Sequence, residues 1–348
     1  AGEAHGGGIG GDSEEGKGFT EWHNVAQARP VFPAHYQPHI PADLGFYDLR
    51  LAETRIEQAT LAHAYGIDAF CYYYYWFGGR RVLERPFEEV LQSGEPDFPF
   101  CLCWANENWT RNWDGGNREL ILTQSYSAED DLAFIHRLLP AFADKRYVRI
   151  DGKPLLLVYR ADLLPDPRAT VSRWREACHD AGLSGVYLCA GQVKSPLDPV
   201  VLGFDAAFEF PPHLIRYGLL DPGLIQGIHP KFRGRIFDYN AIAKQYLEKL
   251  QPAYPLHKSI MVGWDNTPRR QWDGGIFVQG TPDSYAEWLR EAIRQERRMH
   301  QQGQQLVFIN AWNEWGEGAH LEPDLRFGRK YLEATRAVVG AARTAPHL

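Results

Sequence analysis

Apolar and polar positions along this chain keep two rhythms that take turns. Over residues 52–65, Ile56, Ala59, Ala62 and His63 recur at helical spacing and Gly66 marks a stop. Residues 67–75 (IDAFCYYYY) are then nearly continuous in apolar and aromatic side chains and predict a buried strand. The succession repeats. Residues 99–107 (PFCLCWANE) predict a second strand, and Ser127 with Asp130 predicts a helix start ahead of Leu132, Ile135, Leu138, Leu139 and Phe142. Asp151-Gly152 predicts a tight turn before a third strand at 154–160, followed by a helical face of Val171, Trp174, Cys178 and Ala181. Strands are predicted at 186–191, 205–210, 259–265 and 306–314. Helices are predicted around Ile242, Tyr246 and Leu250, after Thr281-Pro282, and from about 328 to 342.

Strands that alternate with helices and lack an in–out polar alternation belong to a parallel sheet covered on both faces. The predicted fold is α/β, a (β/α)8 barrel of the TIM type. Seven strands follow residue 66, so the barrel's first strand must precede the long aromatic stretch at 18–49. Residues 1–17 are polar and Gly-rich instead. They predict a flexible lead-in, with the first strand degenerate or missing and one catalytic domain over 18–348. An irregular stretch as long as 18–49 in a compact domain points to function.

Composition narrows the field. The 348 residues are 44% hydrophobic and 23% charged, which excludes wholesale disorder, and a net charge of −7 argues against nucleic acid as partner. The excess of aromatics (13%, with 11 Trp and 17 Tyr) suits a surface that stacks on flat sugar rings. No apolar run reaches the length of a membrane span. Five cysteines, Cys71, Cys101, Cys103, Cys178 and Cys189, lie at no zinc-like spacing. They predict free buried thiols and favour a reducing, cytoplasmic compartment over a periplasmic one. Cys101 and Cys103 share one strand face.

The strands change character at their C-terminal ends, from aliphatic to aromatic, amide and carboxylate. PFCLC runs into WANENW, LVFIN into AWNEWGEG, SIMVG into WDNTPRR, DAAF into EFPPH, and FCYYYY into WF. In a barrel those ends converge on the face that carries the active site. Glu314 and Glu317 form the sharpest pair, because glycosidic bond cleavage calls for one protonated and one ionised carboxyl group. Glu107 and Glu209 are further strand-end acids that suit an ion pair as well as a site. Asn106, Asn108, Asn266 and Asn313 are candidates for sugar hydroxyls, and Trp104, Trp109, Trp264 and Trp312 for sugar faces. In the tyrosine run, Tyr72 and Tyr74 share one side and Tyr73 and Tyr75 the other. His35 and His39 are possible contacts, but Pro38 between them argues against a helical metal pair, and no metal or cofactor is assigned. No Gly-x-Ser-x-Gly elbow or phosphate-cradling Gly loop is present.

At Asn313-Glu314-Trp315-Gly316-Glu317-Gly318 the chain resembles glycoside hydrolase family 99, with its Asn-Glu-Trp-His-Glu-Gly motif. Gly18-Phe19-Thr20-Glu21-Trp22, His35-Tyr36-Gln37-Pro38, residues 43–50 (DLGFYDLR), 101–110 (CLCWANENWT) and 310–315 (NAWNEW) resemble the WbsX-like proteins of bacterial polysaccharide gene clusters. The resemblance implies a retaining glycosidase acting on α-linked, mannose-like sugars of a polysaccharide. In that route Glu314 is the base on the sugar 2-hydroxyl, a 1,2-anhydro sugar forms, and Glu317 is the acid and then the base. It extends the substrate-binding set to Glu21, Trp22, His35, Tyr36, Tyr74, Trp76 and Asp265. Gly316 departs from the family's His, Tyr74 stands where relatives often carry His, and the apolar first strand is replaced. A glycosyltransferase and an inactive carbohydrate-binding barrel are the alternatives.

Overall fold

A computed structural model of the chain describes residues 20–110 and 120–345; the lead-in expected over 1–17 lies outside the described residues. Seven parallel strands form one sheet in chain order: β1 Phe70–Tyr74, β2 Phe100–Trp104, β3 Lys153–Val158, β4 Tyr187–Gln192, β5 Ala206–Glu209, β6 Leu256–Met261 and β7 Val307–Asn310. Helices Ala52–Ala64, Ala128–Ala143, Pro167–Asp180, Tyr239–Leu247, Pro282–Met299 and Lys330–Thr344 alternate with them, as the apolar periodicity predicts. Caps stand where expected: Ser127 Oγ accepts from Asp130 N–H at 3.1 Å, and Thr281 Oγ1 from Ser284 N–H at 3.1 Å. Asp151 (φ 50°) and Gly152 (φ 77°) turn the hairpin that leads into β3.

Three local differences have physical causes. The aromatic stretch contains a short helix, Glu21–Gln27, whose Trp22 and Val25 are buried. A further helix, Arg85–Ser93, buries Phe87 and Val90 and ends at Gly94 (φ 76°). β6 begins at Leu256, three residues before its apolar run, because the buried His257 and Lys258 are matched by Glu296 and Glu209.

Over the described residues the sheet curls without closing. Phe70 N–H donates to Pro99 O and Ala105 N–H to Tyr74 O, so alternate residues of β1 face β2. Cys71 and Tyr73 therefore turn their backbone polar groups the other way. Val262 N–H donates to Asn310 O on the β6 side, and Val307 and Ile309 turn theirs toward β1. Among the described residues no strand lies between these two edges. A cavity of about 360 Å³ occupies the slot and the bore, reached by Cys71, Tyr73, Val307, Phe308 and Ile309. The gap falls where the sequence predicts a first strand that is degenerate or missing.

Candidate active site

The acid pair sits just past β7. Trp315–Glu317 form one 3₁₀ turn, closed by Gly318 in the left-handed region (φ 60°), and Asn313–Glu314 pair with Ala319–His320. A Cβ on Gly318 would crowd the Asp265 backbone at 2.9 Å, so the turn needs glycine. Both acids meet one guanidinium that the sequence reading passed over. Arg269, on the short helix Thr267–Arg270 after β6, pairs through Nη1 with Glu317 Oε1 at 2.7 Å and through Nη2 with Glu314 Oε1. It also binds Glu21 through Nε and Nη2, the latter at 2.8 Å. Three carboxylates from two distant segments thus share one cation. Burial works against the charge of Arg269, but Glu21, Glu314 and Glu317 hold its pKa well above the usual value.

Gly316 has its own reason. A Cβ there would strike Glu21 Oε1 and Arg269 Nε. The Glu21–Arg269 pair fills the space that a side chain at 316 would need.

A second layer fixes the turn. Glu322, fully buried, accepts from Gln58 Nε2, Tyr47 Oη and Trp315 Nε1, each at 2.7 Å. Burial raises its pKa to about 7 despite these donors. Asn313 Nδ2 donates to Tyr47 Oη at 3.1 Å, and Trp22 Nε1 to Tyr47 O at 2.8 Å. Asp265 accepts from Gln37 Nε2 at 2.6 Å and from Thr267, lies 2.6 Å from His35 Nε2, and its N–H donates to Glu317 O at 2.6 Å. The aromatic stretch is therefore the buttress of the acid turn. Trp22, His35, Asp265 and Asn313 serve it through these contacts.

The tyrosine run is divided as alternation requires. Tyr73 faces the bore, where burial, Cys103, Tyr159 and, more distantly, Glu314 raise its pKa. Tyr75 stacks on Trp109 at 5.2 Å beside Phe77, an aromatic wall at the rim. Tyr159 feels Glu107 and Glu317, and its hydroxyl lies 3.0 Å from His213 Nε2. Alternation alone does not say which face is inside, so no local signal marks Tyr73 as the bore-facing residue.

Several expected contacts lie elsewhere. Tyr74 points outward, between Phe87 and Phe134 and under the Arg81 guanidinium. Trp76 is buried against Phe134, with its indole N–H on Asp130 at 2.9 Å. Trp104 is 1% exposed and packs on Phe134 and Trp174 in the helical layer. Each such buried aromatic stabilises the fold by about 2–3 kcal/mol. Trp312 packs on Phe70 beside the slot. Glu209 is buried, with Lys258 Nζ at 3.3 Å and Lys249 Nζ at 3.9 Å. Asn106 exchanges both amide ends with the Arg160 backbone, at 2.8 and 2.9 Å. Glu107 pairs with Arg160 at the rim, and Asn108 Oδ1 accepts from Gln124 N–H. Tyr36 and Trp264 line a separate cavity behind the acid turn.

The family described as "Glycosyltransferase WbsX" matches residues 10–335. Two proteins of Xanthomonas campestris pv. campestris, each described as "Uncharacterized protein WxcX", are 43% identical over 334 residues, 95% of this chain and 48% of theirs. The chain spans about half the length of these curated relatives. A GH99 endo-alpha-mannosidase from Bacteroides thetaiotaomicron superposes with a TM-score of 0.58 at 15% identity, over 92% of this chain and 93% of that one. A structure titled a glycoside hydrolase-like protein gives 0.58 at 17%, over 90% and 92%. At such identities the likeness is one of fold: an α/β barrel of the (β/α)8 type.

Proposed function

Because the chain belongs to the glycosyltransferase WbsX family, we propose that it handles saccharides, and specifically that it is a retaining glycosidase for α-linked, mannose-like sugars of a bacterial polysaccharide. One observation carries the reading: Glu314 and Glu317 converge on a single guanidinium at the face where barrel active sites lie. Two carboxyl groups that close suit attack and protonation on one anomeric centre.

In the proposed route Glu314 takes the proton of the sugar 2-hydroxyl, whose oxygen attacks C1. The glycosidic bond breaks, and the leaving oxygen takes its proton from Glu317. In the second half Glu317 takes a proton from water, the water oxygen attacks C1, and the 1,2-anhydro bond opens. O2 recovers its proton from Glu314, so both acids return to their starting states. Arg269 bears on the first step. A neighbouring guanidinium favours ionised carboxylates, so an acid that donates a proton must be released from it. Substrate entry between the acids breaks those contacts, and Glu21 retains the guanidinium.

The supporting experiment is sugar release from an α-mannan-type polymer without nucleotide. Glu317→Gln should abolish release and keep binding, and Glu314→Gln should do likewise. The family's description favours one other reading, a transferase; turnover that appears only after a nucleotide sugar is added would replace the glycosidase with it.

A further inference from the structure

Behind the acid turn, the segment carrying His35 and His39 meets residues 318–324 across a cavity of about 330 Å³. His39 Nδ1 and His320 Nε2 stand 2.8 Å apart, with their rings nearly perpendicular at 84°. His320 Nδ1 lies 3.0 Å from the carbonyl oxygen of Glu322, where only an N–H can bond. Its Nε2 therefore presents a lone pair to His39, and a backbone carbonyl on the far nitrogen is how metal-ligating histidines are usually oriented. Asp324 Oδ2 lies 3.9 Å from the same nitrogen, while Oδ1 is engaged by Phe327 N–H at 2.6 Å.

Two buried polar atoms of the same segment lack a hydrogen-bond partner: Tyr36 Oη, whose ring stacks on His39 at 4.4 Å, and Gln37 Oε1. Buried polar atoms without partners are uncommon. Tyr36 lines this cavity.

We propose that His39, His320 and Asp324 form a binding site for a divalent transition metal of the zinc type, with the remaining coordination position open to water in the cavity. On binding, the His39 proton moves from Nδ1 to Nε2 through solvent, and the ion takes the freed Nδ1 lone pair together with that of His320 Nε2. Side-chain rotation opens the nitrogens slightly and brings Asp324 in, to reach bonds of about 2.0–2.2 Å. The site joins the aromatic segment to the chain that follows Glu314 and Glu317, so the ion acts as a clamp behind the acid turn. This inference does not depend on the glycosidase reading. The other buried cluster, His257, Glu296 and His300, is a scaffold contact. Its imidazoles stack at 4.3 Å and 22°, and both Glu296 oxygens are already taken by the backbone N–H groups of Lys258 and Leu306.

The test is equilibrium dialysis of the chelator-stripped full chain against Zn²⁺, with metal counted by elemental analysis, and a Co²⁺ titration read by visible absorption. One retained equivalent is expected in the wild type and in His300→Gln. At least about ten-fold weaker retention is expected in both His39→Gln and His320→Gln. Zn²⁺ should raise the melting temperature of the wild type and not of His39→Gln, a half-buried position whose variant reads the site even if His320→Gln fails to fold. No retained metal in the wild type, retention equal in His39→Gln, or loss in His300→Gln would each overturn the proposal.

Discussion

Arg269 holds Glu317 through Nη1 at 2.7 Å while Nη2 of the same guanidinium reaches Glu314. The cation therefore lies between the two acids that the proposed reaction needs, and Glu21 on its far side is the only member of the trio outside the acid turn. Replacing Arg269 with Met leaves three carboxylates facing one another. We expect kcat to fall about 100-fold, because Glu21 and the acid turn lose the cation that positions them. The acidic limb of the pH–rate profile should also move to higher pH, because carboxylates without their counter-ion bind protons more readily. A pH–rate profile identical to that of the wild type would remove Arg269 from the mechanism.

Gly316→Ala tests the same arrangement from the backbone. The added methyl meets Glu21 Oε1 and Arg269 Nε in a buried turn, so the ion pair must shift. The expected result is a folded protein with a comparable loss of kcat, checked by circular dichroism alongside the assay.

Glu322 predicts a stability change with a definite sign. Its carboxyl is raised from 4.5 to about 7 in the fold. Between those values the unfolded chain releases a proton that the folded chain keeps, so this group's contribution is full below pH 4.5 and is lost as pH rises through 7. Urea unfolding at pH 5 and pH 8 should show the wild type losing on the order of 3 kcal/mol relative to Glu322→Gln, whose side chain does not titrate. Parallel pH profiles for the two proteins would contradict this.

Glu209 separates a binding role from a structural one. Glu209→Leu leaves Lys258 buried, and breaking a pair of this kind costs about 3–5 kcal/mol. Chemical denaturation should register that loss, while KM for any accepted saccharide stays unchanged.

Cys71 reports on the slot. It is partly exposed, whereas Cys101, Cys103, Cys178 and Cys189 are buried. Hydrogen bonds with Cys101 and Cys103 pull its thiol well below the ordinary range. A thiol reagent should modify one cysteine quickly in the native protein, and Cys71→Ser should abolish that phase.

The chain's own pattern determined the α/β alternation, the helix caps, the tight turn at Asp151-Gly152, the shared face of Cys101 and Cys103, and the acid pair after the last strand. These are short-range properties: period, cap chemistry and spacing act within a few residues. Tertiary structure decided which of two alternating faces becomes the bore, so Tyr73 and Tyr75 turn inward while Tyr74 and Trp104 join the helical layer. It also decided the partners. Arg269 reaches Glu21 across 248 positions, Glu322 meets Gln58 across 264, and His39 meets His320 across 281. No local periodicity records such pairings. They follow from curling a parallel sheet so that every strand delivers its C-terminal end to one rim, where charges far apart in sequence lie close enough to determine one another's ionisation.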